Sequence, residues 1–411
     1  MLSAYTPDNL YESEKSFAIQ YQIPVDNLEF IRQLRLDTAT SLPSDCHRIA
    51  VWVVAPVLVS FVQWIAAQIK QHKGACCLAV MRDGWLPGKL LQNLYGLPVR
   101  ELWLNRDLGM RAAFGCGDDE ALLNWLVRTR LQPITPTEAT ERLADLPYLG
   151  PEPHKPLNLD DARQLMVYWK NQNLLPQIRA RGKALAARLM QHWCVMAESP
   201  HHETLLVDFA CAGNAQRSLQ TILTAHRHGT AIHGLNFVTT AGTKWARQAG
   251  CTLDGFLAEN GSPDWFADAY ARTPELMEIF TAVSAGPLFD YTDDGTPQCA
   301  GSILEPERIN LLEDVQSHII EAATHYHRQS GLHWSAGVAR CLWGRMLLRP
   351  LPAEVSVLSD WPLDAGLDGA SQRVLAARCG GGPEGWTKWQ SAWPVGSAMR
   401  NIPAKAKKGA V

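Results

Sequence analysis

The run Glu203 to Ala210, ETLLVDFA, ends in a carboxylate, Asp208. A turn of small residues, Ala210 to Ala215, follows at once, and a helical stretch, QRSLQTILTAH, follows that. This order of apolar run, tight turn and helix commits the segment to a strand–turn–helix unit with the strand inside. A helix that starts from small residues directs backbone N–H groups and the positive end of its dipole beyond the strand. Ala210, Cys211, Ala212, Gly213, Asn214, Ala215 and Gln216 are thus candidate contacts to a phosphate, with Asn214 and Gln216 adding polar groups. Asp208 at the mouth of the turn could hold a ribose hydroxyl or a metal ion. A plain structural turn, with Gly213 there for backbone geometry, is the competing reading.

Three further runs read as strands. They are GACCLAVMRD (74–83), VRELWLNRD (99–107) and AIHGLNFVTTAG (231–242). Helical stretches, LPGKLLQNLYG and QRSLQTILTAHRHG, separate them. Strands alternating with helices imply an α/β fold with a parallel sheet covered on both faces, and ligands collect at the carboxyl ends of such strands. The polar ends Arg82-Asp83, Asn105-Arg106-Asp107 and Asp208 then converge on one edge. Between the second and third runs lies a helical insertion, about 108–202, with a capping box at Thr135-Pro136-Thr137-Glu138. Beyond residue 245 the chain reads as helical or irregular, with helices near 273–284 and 306–328.

The chain has 411 residues and a formal net charge of −3, which argues against nucleic-acid binding through a broad positive field. Ten cysteines without a CxxC pair or zinc spacing read as free thiols of a reducing, cytoplasmic compartment. Ile49 to Gln68 is uncharged over a bilayer-spanning length. It reads either as a buried helix, favoured by Pro56 and two glutamines, or as a membrane contact. Fifteen tryptophans suit either a core or the apolar faces of sugars.

Met81-Arg82-Asp83-Gly84 ends one strand and opens a helix. Arg82 beside Gly84 could grip pyrophosphate oxygens, and Asp83 could orient a metal or take a proton, or the two form an ordinary surface pair. Asn105 and Arg106 are candidate substrate contacts or a solvated strand end. The histidine pairs His201-His202, His226/His228 and His325/His327 lack carboxylate partners at fixed spacing and are poor metal candidates. Asp290 to Thr296 reads as a polar loop, and no GxSxG elbow is present.

These motifs in this order resemble a bacterial family of glycan-specific phosphoribosyltransferases, whose members often follow a haloacid-dehalogenase-type phosphatase domain. Members read GP-x-L-x-x-F in the first helix, where this chain has Ala55-Pro56-Val57-Leu58-Val59-Ser60-Phe61. RDG is matched by Arg82-Asp83-Gly84, and S-R-R falls at Asn105-Arg106-Asp107. VD-x-G-W-x-G-x-x-Q is matched in part by Val207-Asp208, Gly213 and Gln216, and the closing W-P-x-G by Trp393-Pro394-Val395-Gly396. The resemblance covers roughly 45–400. Ala210-Cys211 stands where the family has Gly-Trp, and Asp107 where it has a second Arg. Only Asp208 stands where nucleobase enzymes have two adjacent acids, which implies a different acceptor chemistry.

The resemblance implies a type I phosphoribosyltransferase-like core at 46–245. It would carry a cap segment at 1–45, a mainly helical lobe at 246–400 and a mobile basic tail at 401–411. It implies 5-phosphoribosyl-1-diphosphate (PRPP) as donor, Mg²⁺ as cofactor with Asp208 as its ligand, and inverting transfer to a glycan hydroxyl at the cytoplasmic membrane face. The acceptor would be lipid-linked or an oligosaccharide, and a separate phosphatase would remove the 5-phosphate. Arg82, Asp83 and Asp208 become the catalytic set. A nucleobase or protein acceptor, or a non-catalytic phosphosugar-binding subunit, remain the alternatives.

Overall fold

The computed structural model describes residues 5–127, 134–197, 202–209, 211–259, 264–329, 334–364, 372–376 and 391–400. Five parallel strands form its centre: β1 (Cys76–Met81), β2 (Val99–Trp103), β3 (Glu203–Asp208), β4 (Ala231–Asn236) and β5 (Thr252–Gly255). Their order across the sheet is β2-β1-β3-β4-β5. Register places Ala79 beside Val207, Met81 beside Trp103 and Asp208 beside Asn236. The protein is thus mixed α/β, with the order of a doubly wound sheet. β5 was not legible in sequence, and it carries the sheet past residue 245.

Side chains of successive strand residues leave the sheet on opposite faces. Cys77, Ala79, Leu205, Val207 and Leu235 enter one core, and Leu78, Val80, Leu102, Leu206 and Ile232 enter the other. The first core is closed by the N-terminal helices and by those of 265–358, through Leu34, Phe61, Phe266, Val315 and Leu342. The second is closed by the helical insertion and the helix Asn214–Ala225, through Phe114, Trp125, Trp169, Leu189 and Leu219. With both faces covered, the central strands β1 and β3 carry apolar residues on both faces.

The uncharged segment is the middle of one continuous helix, Asp45–Gln71, whose most apolar window is 89% buried. It is the one described helix long and apolar enough to cross a membrane. Pro56 has no N–H, so the carbonyl of Trp52, four residues earlier, loses its helical donor. The helix widens to a π turn at Ala50–Val54, and the Arg35 side chain supplies the missing hydrogens. Arg35 Nη2 and Nε donate to the Trp52 oxygen at 2.8 and 3.1 Å. Arg35 is itself fully buried and forms a two-pronged pair with Glu14 at 2.6 and 2.9 Å.

Several sequence expectations change in detail. The fourth run becomes strand only to Asn236, because Thr239 N turns away to donate to the Ala258 carbonyl at 2.9 Å. Asp290–Thr296 is not a free loop. Asp290 lies in β6 (Leu288–Tyr291), paired with β7 (Pro297–Cys299), and the polar residues form the turn between them. Trp52, Trp125, Trp169, Trp193, Trp343 and Trp393 are fully buried, so these six serve the core and not a sugar surface. All nine described cysteines are free thiols. Ala210 and the tail 401–411 lie outside the described residues.

Candidate functional site

The helix after β1, Trp85–Tyr95, packs on one face of the sheet through Leu86, Leu90 and Leu91. The helix after the neighbouring β3, Asn214–Ala225, packs on the other through Leu219, Ile222 and Leu223. Chains leaving adjacent parallel strands in opposite directions open a crevice at their carboxyl ends, the usual ligand site of such sheets. Arg82-Asp83-Gly84 and the turn after Asp208 stand on its two sides.

The first turn packs directly against the end of β3 at Gly84. A Cβ there would lie 2.5 Å from the Val80 carbonyl oxygen and 3.0 Å from that of Val207, the residue before Asp208. Only glycine lets the first turn sit this close to the end of β3. The Met81–Arg82 peptide is cis. Gly84 N donates to Val80 O at 2.8 Å and closes the turn, and no side chain caps the helix that follows. Asp83 directs Oδ1 inward, where it is enclosed and lacks a hydrogen-bond partner. Burial pushes its carboxyl above the usual range, Arg82 opposes the shift and Glu275 adds to it. Arg82 lines a cavity of about 70 Å³ with Glu275, Glu278, Ser284 and Trp361 among its walls. The turn after β3 does not line that cavity.

On the other side, Asp208 is 5% exposed. Gln216, from the first turn of the following helix, donates from Nε2 to Asp208 Oδ2 at 3.0 Å and to Asn236 Oδ1 at 3.3 Å. Gln216 therefore faces inward and fixes the carboxylate. Gly213 has φ +68°, and a Cβ on it would lie 2.6 Å from Leu253 Cδ2, so β5 packs beneath this turn. Thr240 donates from both N and Oγ1 to the Cys211 carbonyl, at 2.9 and 3.0 Å, and ties the turn to the loop after β4. No side chain caps the helix Asn214–Ala225, so its first amides are left to an outside acceptor. Cys211, Ala212 and Asn214 are part-exposed there, whereas Ala215 and Gln216 are buried.

Tyr270 lies beneath the turn after β3. Its hydroxyl donates to the Phe209 carbonyl at 3.3 Å. Burial raises its pKa well above the phenol range, and Cys211, Glu278, Asp83 and Asp208 add to the rise. The phenol stays protonated and a donor.

One strand further out, Asn105 caps the helix Arg106–Gly115. Its Oδ1 accepts from Leu108 N at 2.8 Å and its Nδ2 donates to Leu288 O at 2.7 Å, so the structure uses both ends of the amide internally. Arg106 is exposed at the helix start. Asp107 turns inward and accepts from Trp125 Nε1 at 2.7 Å.

Sequence reading had not singled out Asn236, Thr240, Tyr270, Glu275 or Glu278. Asn236 carried a usable signal, since it ends β4 as Asp208 ends β3. Glu275 and Glu278 reach the Arg82 cavity, and Tyr270 reaches Phe209, only through the packing of distant helices. No protein-family model matches the chain, and no curated protein matches it.

Proposed function

We propose that this chain is a phosphoribosyltransferase that moves 5-phosphoribosyl from PRPP to a hydroxyl of a glycan acceptor at the cytoplasmic face of the membrane. The observation that supports this most is the close packing of the turn after β1, at Gly84, on the end of β3 next to Asp208. It sets a cationic turn beside the strand that leads into an uncapped helix start, an arrangement that suits a substrate with a phosphate at each end.

In this reading the amides of residues 212–216 receive the 5-phosphate, and the helix dipole favours its charge. Asp208, held by Gln216, faces the ribose hydroxyls. Arg82 takes the pyrophosphate, with Arg106 one strand away. The C1–O bond to pyrophosphate breaks as the acceptor oxygen bonds to C1 from the opposite face. The acceptor proton passes to a carboxylate, for which Asp83 is the candidate. Pyrophosphate leaves, and a β-ribofuranoside 5-phosphate remains for a separate phosphatase. Tyr270 stays a neutral donor to the Phe209 carbonyl, next to Asp208 in the chain.

The resemblance also implies Mg²⁺, and the donor set is of the right kind. Mg²⁺ takes oxygen ligands, commonly one or two carboxylates with substrate phosphates. Asp208 and Asp83 supply carboxylates, and Asp83 Oδ1 is enclosed without a partner. When bound, the ion would neutralise charge gathering on the leaving pyrophosphate. The long helix Asp45–Gln71 is mostly buried, so membrane contact would have to come from another surface.

Incubation with PRPP, Mg²⁺ and a panel of glycan acceptors tests the proposal by pyrophosphate release. Turnover with a glycan is expected, falling to below about one hundredth in Asp208→Ala. Turnover only with a base or protein acceptor would move the chain to a different acceptor class. PRPP binding without turnover on any acceptor would make it a phosphosugar-binding protein.

A further inference from the structure

At the opposite, amino-terminal edge of the sheet, three distant residues meet. His72 caps the helix that ends at Gln71, Glu203 opens β3, and His233 lies in β4. His72 Nδ1 is 2.8 Å from Glu203 Oε2, and His233 Nδ1 is 3.5 Å from Glu203 Oε1. The two imidazoles stand edge to face with centroids 4.5 Å apart, and one ligand atom from each of the three residues lies within 4.8 Å of the others. Leu205, the cross-strand partner of His233, belongs to the core that covers the helix Asp45–Gln71. Glu203, two residues before Leu205, shares that face. The fold therefore turns all three side chains toward one point.

We propose that His72, Glu203 and His233 bind a divalent ion of the zinc class. Two imidazole nitrogens and one carboxylate form a set that zinc accepts with water as fourth ligand, whereas Mg²⁺ and Ca²⁺ prefer all-oxygen sets. The outer shell fits as well. His233 Nε2 is 3.0 Å from Asp254 Oδ2 on β5, so Asp254 holds the far side of that ring and leaves Nδ1 for the ion. The side chains of His72 and Glu203 are 24% and 35% exposed, which leaves a path of entry. Five residue steps along β3 separate Glu203 from Asp208, roughly 16 Å. The site is thus separate from the crevice and does not rest on the phosphoribosyl reading.

Zinc chloride titrated into the full chain against a chromophoric chelator tests this, with Co²⁺ spectroscopy to report ligand geometry. One ion per chain is expected, with a tetrahedral Co²⁺ spectrum. His72→Ala and His233→Ala should abolish uptake, and Asp254→Asn should weaken it about 10- to 100-fold. His318→Ala is the control, because His47, Asp314 and His318 form a second His–Asp–His group elsewhere. Glu203→Gln preserves the size of the side chain, so it guards against misfolding of the alanine variants. Zinc should raise the Tm of wild type and not of this variant. No uptake by the folded wild type, unchanged affinity in Glu203→Gln, or loss only in His318→Ala would overturn the proposal.

Discussion

Gly84→Ala separates the geometry of the crevice from the stability of the fold. The new methyl carbon would stand 2.5 Å from Val80 O, 2.9 Å from Val80 N and 3.0 Å from Val207 O, all backbone atoms of central strands. Ordinary contact begins at 3.4 Å, so the turn must retreat by 0.9 Å from Val80 O because the strands cannot. The backbone at Gly84, φ −71° and ψ −9°, suits alanine, so the cost is purely steric. Overpacking of this kind costs about 1–3 kcal/mol, and a shift near 1 Å in a reacting group costs about 100-fold in rate. Gly96→Ala is the control. Gly96 has φ +63° with nothing within 4 Å of a Cβ, so alanine there costs about 1–2 kcal/mol of backbone strain. It lies at the far end of the helix Trp85–Tyr95, roughly 16 Å from the crevice. Thermal unfolding should show comparable losses for both variants. Pyrophosphate release, measured well below either Tm, should collapse only in Gly84→Ala. Full turnover in Gly84→Ala, or equal losses in the two, would refute the reasoning.

Arg35→Met should destabilise the protein by about 3–5 kcal/mol, since it leaves Glu14 charged and unpaired in the core. Adding Pro56→Ala restores an N–H for the Trp52 carbonyl, so the double variant should lose less than the sum of the two singles in urea unfolding. His192 accepts from Trp103 N at Nε2 (3.1 Å) and faces Gly295 O with Nδ1 (3.0 Å), an arrangement that suits only the neutral ring. Burial lowers its pKa to about 4. The unfolded chain then takes up a proton that the folded chain refuses, so stability falls as pH drops from about 6.5 to about 4, by on the order of 3 kcal/mol. His192→Gln should flatten that limb of the stability–pH curve, and an unchanged slope would exclude the assignment. Arg82→Gln removes the charge that restrains the pKa of Asp83. Beyond its loss of rate, the acid limb of pyrophosphate release should move to higher pH. A downward move would exclude Asp83 as the base.

The centre of the fold was legible because β1, β3 and β4 are buried on both faces and read as mainly apolar runs. β5 escaped because TLDG is four residues long and holds an aspartate and a glycine, a pattern no different from a turn. Asn105 read as a strand end, and the polar residue there proved to be a helix cap, which sequence cannot separate from a ligand contact. The Arg82 and Asp208 turns were visible because each couples a strand end to a helix start through small residues. Gln216 was visible as a polar residue, but its inward course toward Asp208 depends on Asn236 from the next strand. Tyr270 and the ion pair of Arg35 with Glu14 depend on contacts between residues far apart in the chain, and local patterns carry no trace of them.

A crystal structure of the protein with PRPP and Mg²⁺ tests the central claim most directly. The account expects the 5-phosphate on the amides of residues 212–216, ribose hydroxyls at Asp208 and pyrophosphate against Arg82. Donor bound away from the carboxyl ends of β1 and β3, or density at only one of the two turns, would contradict it.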